Sequence, residues 1–147
     1  MIYILALITL LFVGCDDGIL NGQIETYDFD VNTGLEEDSN GYFHFLLSEH
    51  NNGTSDQSLK RFTAQTNNPE IQFVQWDCDS YYIYYHMEEE FIVPIINNSS
   101  YTDDLGEAHT MFGPHSSMVG DTVIVFVGYV DSFYDIEYTK TINIILD

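Results

Sequence analysis

Along this chain hydrophobic and polar positions alternate in short runs. Tyr27-Asp28-Phe29-Asp30-Val31 switches between apolar and acidic residues, the period-two signature of a strand with one wet face. Phe43, Phe45 and Leu47 line one face of the next run, and in a third Ile71 and Phe73 oppose Val74 and Trp76. Tyr81–Met87 and Phe91–Ile96 read as a strand pair joined by a Glu88-Glu89-Glu90 turn. Thr122–Val130 is apolar on both faces, as a central strand requires. Glu137–Leu146 turns Ile142, Ile144 and Leu146 inward and Thr141 and Asn143 outward, and the linker Asp131–Asp135 makes a hairpin with the preceding strand. Beyond the N-terminal segment no window keeps apolar residues at helical spacing for three turns. Strands separated by Gly, Asn, Asp and Ser clusters predict an all-β fold, an antiparallel β-sandwich.

The N-terminal segment has a different character. Met1–Gly14 holds no charged side chain and ends directly before Cys15. Its apolar run is too short for a bilayer, which takes ~20 residues, and suits the roughly 7–15 of a signal peptide. Leu11-Phe12-Val13-Gly14-Cys15 resembles the lipobox of bacterial lipoproteins. That resemblance implies cleavage before Cys15, lipidation of Cys15, and attachment to a membrane through the acyl chains. Asp16-Asp17 is similar to the acidic export signal of surface-exposed lipoproteins. The expected organisation is a signal peptide over 1–14, a lipidated cysteine and acidic tether over 15–22, and one domain over 23–147. The expected location is the bacterial cell envelope, at the outer membrane or cell surface.

Composition narrows the function. The 147 residues include 24 Asp or Glu against 3 Lys or Arg, a formal charge of −21. Phosphate binding needs clustered bases, so nucleic acid is excluded as a partner. Ten Phe, 11 Tyr and 1 Trp exclude disorder, and the three alanines (Ala6, Ala64, Ala108) among many β-branched residues favour strands. With Cys15 lipidated, Cys78 is left alone between Asp77 and Asp79, whose charge disfavours a thiolate; it reads as inert.

Thr102, Asp103, Gly106 and Ala108 in YTDDLGEAHT fall on the TDxxGxA motif of bacterial immunoglobulin-like domains of the invasin and intimin type, which this segment resembles. Asp and Gly make the tight turn, Gly supplies a positive φ, and the small Ala opens an inward-facing strand. The resemblance implies an immunoglobulin-like sandwich and a role in surface adhesion, with Thr122–Val130 as the penultimate strand and Trp76 as the core tryptophan. Asp38–His44 echoes Asp103–His109 in its Asp, Gly and His, which reads as two similar turns in one domain.

Catalytic chemistry finds no foothold. There is no GxSxG elbow, and His115-Ser116-Ser117 reads as an ordinary loop. The five histidines contain no HxxxH pair, so no zinc site is expected. Candidate calcium ligands are Asp103, Asp104, Glu107, Asp131 and Asp135, in turns that a sandwich gathers at its ends. In Tyr81–Met87, alternation sends Tyr81, Ile83, Tyr85 and Met87 towards the core and leaves Tyr82 and Tyr84 as an outward stripe. That stripe, with Trp76, would suit sugar rings. The expected function is a non-enzymatic adhesion or scaffold module for an envelope or extracellular protein; the alternative is a carbohydrate-binding module.

Overall fold

A computed structural model describes residues 27–47, 58–131 and 133–147. The expected signal peptide, Cys15 and the acidic tether lie outside the described residues. Eleven strands are described: β1 (Asp30–Asn32), β2 (Glu36–Glu37), β3 (Tyr42–Phe45), β4 (Lys60–Gln65), β5 (Phe73–Cys78), β6 (Tyr81–His86), β7 (Glu89–Pro94), β8 (Ser99–Tyr101), β9 (Glu107–Phe112), β10 (Thr122–Val130) and β11 (Ile136–Leu146). A 3₁₀ turn at Ser116–Met118 precedes β10.

The strands form a three-stranded sheet ordered β1-β4-β9, a six-stranded sheet ordered β2-β3-β11-β10-β5-β8, and a separate β6-β7 pair. The fold is all-β, and its two larger sheets make a sandwich. Their pairings are antiparallel, as the alternation predicts, except that β3 runs parallel to β11 from Asn143↔Tyr42 to Leu146↔Phe45. Through that parallel pair β11 carries β3, with β2 beyond it at the sheet edge. No turn signal in the sequence encodes that pairing.

The core lies between the two sheets. Val74, Trp76, Val123, Val125, Val127, Ile144 and Leu146 are fully buried from the six-stranded side, and Phe62, Ala64, Ala108 and Phe112 from the other. Phe112 stacks on Phe62 at 4.9 Å between ring centroids and meets Phe45 edge-on at 5.4 Å, so this ring ties both sheets together. Ile142, Ile144 and Leu146 point inward as the alternation predicts.

Three turns share one construction. In Asp38–Tyr42, Asp103–Glu107 and Asp131–Asp135 the first Asp Oδ1 accepts the backbone N–H two and four residues on, at 2.8–3.0 Å. The fourth residue donates its N–H to the Asp carbonyl and has positive φ: Gly41 at 83°, Gly106 at 77° and Tyr134 at 65°. The sequence echo between residues 38–44 and 103–109 is therefore a repeated turn, and the third copy hides because Tyr replaces Gly. Close to this last turn, Val127 pairs with Lys140 but Gly128 with Tyr138, leaving Thr139 as the extra residue of a β-bulge. A Cβ on Gly128 would lie 2.3 Å from the Glu137 carbonyl oxygen, so the bulge needs glycine there.

Candidate functional site

Between β5 and β8 the chain leaves the sandwich to build the β6-β7 hairpin. The strands pair from Tyr81↔Pro94 to His86↔Glu89, and neither pairs with another described strand. Met87 (φ 49°) and Glu88 (φ 68°) form the two-residue tip. Two consecutive left-handed residues make the type I′ geometry that matches strand twist, a position usually filled by Asn-Gly. Here the turn carries two residues with Cβ atoms instead, at a conformational cost.

Register fixes what each face displays. Tyr81, Ile83 and Tyr85 share one face with Ile92 and Pro94, and Tyr82, Tyr84 and His86 share the other with Phe91 and Val93. Both faces display apolar side chains: Tyr85 is 66% and Ile92 65% exposed on one, Tyr84 51% and Phe91 44% on the other. Tyr84 lies parallel to His86 at 6.3 Å and tilted against Phe91 at 6.5 Å.

The hairpin root is firmly held. Tyr82 stacks on His115 at 4.8 Å, and Ile95 and Ile96, just past β7, are buried in the core. Asp79 Oδ1 accepts from the Ile124 N–H at 2.8 Å and the Ser80 hydroxyl at 2.9 Å, pinning the β5-β6 corner to β10. Burial pushes the neighbouring Cys78 thiol up to about 12, which keeps it protonated as its acidic flanks suggest. Beside the root, a cleft of about 630 Å³ runs between Tyr81, Ile92 and Pro94 on the hairpin and Asn97, Asn98 and Ser99 on the sheet edge.

These positions correct several expectations. Trp76 cannot offer a sugar platform, because it is fully buried and its indole N–H donates to Ser100 Oγ at 2.9 Å. Of the tyrosine stripe, Tyr82 is covered by His115 and Tyr84 remains open. Tyr81, Ile83, Tyr85 and Met87, expected in the core, are exposed, because among the described residues β6 and β7 form a separate pair outside the two sheets that enclose the core. The turn sits at Met87-Glu88, one residue earlier than the glutamate run suggests. Sequence reasoning missed Phe91 and Ile92 as displayed residues; the only signal was that both runs are apolar on both faces while flanking a charged tip.

The acidic turns are rearranged too. Among the described residues, the set with three ligand atoms within 4.8 Å of one another is Asp103, Glu107 and His109. Asp104, Asp131 and Asp135 stand outside it. The Glu107 N–H, followed by that of Leu105, holds the Asp103 carboxyl below its usual range, so the turn itself employs this charge.

No family model and no curated protein matches this chain. Among solved structures it is similar to a beta-glucosidase from Listeria innocua, crystallised in complex with isofagomine, at 10% identity and a TM-score of 0.32. The match covers 80% of this chain and 16% of that one. Among the described residues no helix is long and apolar enough to cross a membrane.

Proposed function

We propose that this chain is a non-enzymatic binding module of the bacterial cell envelope, held to the membrane by lipid on Cys15, with an immunoglobulin-like sandwich that grips a partner protein through the β6-β7 hairpin. The observation that carries this reading is an apolar hairpin exposed on both faces, with both outer edges unpaired among the described strands. Such an element is an aggregation liability unless a partner uses it, since its edges can accept a strand and its faces can bury against apolar surface. Glu88, Glu89 and Glu90 at the tip add charge that favours a partner with basic groups beside its apolar patch.

The test uses the full chain purified in mild detergent and washed over immobilised envelope proteins. Wild type is expected to bind, and Ile83→Lys with Ile92→Lys to lose at least tenfold in affinity while melting at the same temperature. Equal binding by the two would overturn the reading. A second reading, carbohydrate binding, draws on the cleft that Tyr81, Asn97 and Asn98 line. It predicts that Tyr81→Ala and Tyr84→Ala abolish polysaccharide retention, which the protein-binding reading does not.

A further inference from the structure

At the start of β5, away from the hairpin that follows its other end, a cavity of about 830 Å³ opens between β5, β10 and the β10-β11 turn. Four aromatic residues line it, Tyr27, Phe73, Tyr129 and Phe133, and so do three carboxylates, Glu70, Asp131 and Glu137. No Lys, Arg or His is among the lining residues. Tyr27 meets Tyr129 edge-on at 5.3 Å, so two walls are fixed against each other. Tyr129 is nearly buried, and its hydroxyl donates to Glu137 Oε2 at 3.1 Å, which draws negative charge onto the phenol ring. Phe133 is 82% exposed and stands at the rim.

We propose that this cavity is an aromatic cage for an organic cation, an alkylammonium or guanidinium group. Aromatic faces carry the negative part of the ring quadrupole and attract a cation without offering lone pairs. A bare metal ion would not exchange its water for such faces, whereas an alkylated ammonium group has both an apolar shell to bury and a charge to neutralise. Glu137 and Asp131 already accept hydrogen bonds from the Tyr129 hydroxyl and from turn N–H groups, but all three lining carboxylates keep their negative charge, which a neutral apolar ligand would leave unbalanced. The cavity is independent of the hairpin, so this assignment does not rest on the binding role proposed above.

Choline and its neutral isostere 3,3-dimethylbutan-1-ol separate charge from shape. Titrated against the full chain and followed by proton NMR, choline is expected to bind at least tenfold more tightly, its N-methyl signal moving upfield in the ring currents. Phe133→Leu and Glu70→Gln are each expected to weaken it severalfold. Glu36→Gln removes the same charge from an exposed strand and should leave binding unchanged, as should Ile83→Lys on the hairpin. Equal binding of choline and the alcohol would overturn the cage, and so would equal losses in Glu70→Gln and Glu36→Gln, which would mark diffuse attraction to an acidic protein. A short peptide with one central arginine binding better than choline would assign the cation to a protein side chain; weaker binding would assign it to a free amine.

Discussion

At the scale of single residues, positive φ marks where this chain departs from its own rules. Gly41 and Gly106 occupy the left-handed position of their Asp turns without cost, but Tyr134 holds the same position at 65° with a Cβ. Tyr134→Gly is therefore expected to raise stability by about 1 kcal/mol in urea unfolding, an increment set by the left-handed penalty less the entropy glycine adds to the unfolded chain. Gly128→Ala should do the opposite, lowering stability by roughly 2 kcal/mol or more, because its Cβ meets backbone that cannot move aside. His44 shows how charge is placed. Its Nδ1 lies 2.6 Å from Asp147 Oδ2 and its Nε2 3.5 Å from Asp38 Oδ2, and the bond to Asp147 raises it above the ordinary 6.5. Its contribution is thus present in full below 6.5 and lost as pH rises through the higher folded value. Asp38 is held below 3.8, first by the Tyr42 N–H, so its contribution is present above 3.8 and lost as pH falls through the lower folded value. Melting temperature should peak between these limits, and His44→Gln should remove the decline on the alkaline side.

At the scale of elements, the β6-β7 hairpin and the sandwich strands follow the same alternation and meet different fates. In β10 and β11 alternation separates core from surface, because a second sheet lies over one face. Among the described strands β6 and β7 pair only with each other, and the same pattern leaves Tyr81, Ile83, Tyr84, Tyr85 and Ile92 in water while Tyr82 is covered by His115. An isolated two-stranded pair is marginal alone, so it depends on the Tyr82–His115 stack, the Asp79 corner and its two-residue tip. Met87→Asn with Glu88→Gly supplies the residues a type I′ turn prefers. That pair is expected to increase hydrogen-exchange protection along β6 and β7 and leave partner binding intact, since Ile83 and Ile92 keep their places.

For the whole molecule, net charge and attachment dominate. A charge of −21 destabilises the compact state by self-repulsion, so the melting temperature is expected to rise between 20 and 300 mM sodium chloride, checked by circular dichroism. Expressed in a bacterium fed an alkyne-tagged fatty acid, the full chain should carry label that Cys15→Ser abolishes. In the core, Phe112→Ala removes the ring that contacts both Phe45 and Phe62 and is expected to cost about 3–5 kcal/mol, enough to unfold many domains of this size.

Strand content, the inward face of Ile142, Ile144 and Leu146 on β11, and the Asp-Gly turns are legible along the chain, because these depend on alternation and on backbone chemistry within a few residues. The Asp and Gly shared by residues 38–44 and 103–109 are legible as turn chemistry, and Asp131–Asp135 as a hairpin linker, but not as a third copy, since Tyr134 stands where the others have Gly. Only the packing of distant segments sets β3 parallel to β11 and leaves Tyr81, Tyr84 and Tyr85 of β6 exposed while His115 covers Tyr82. It also brings Tyr27, Glu70, Phe73, Tyr129 and Phe133 around one cavity from three separate stretches of chain. The reason is the same in each case. Alternation reports that a strand has two faces, but burial depends on which other segments lie across them, and that is settled only when distant parts of the chain pack.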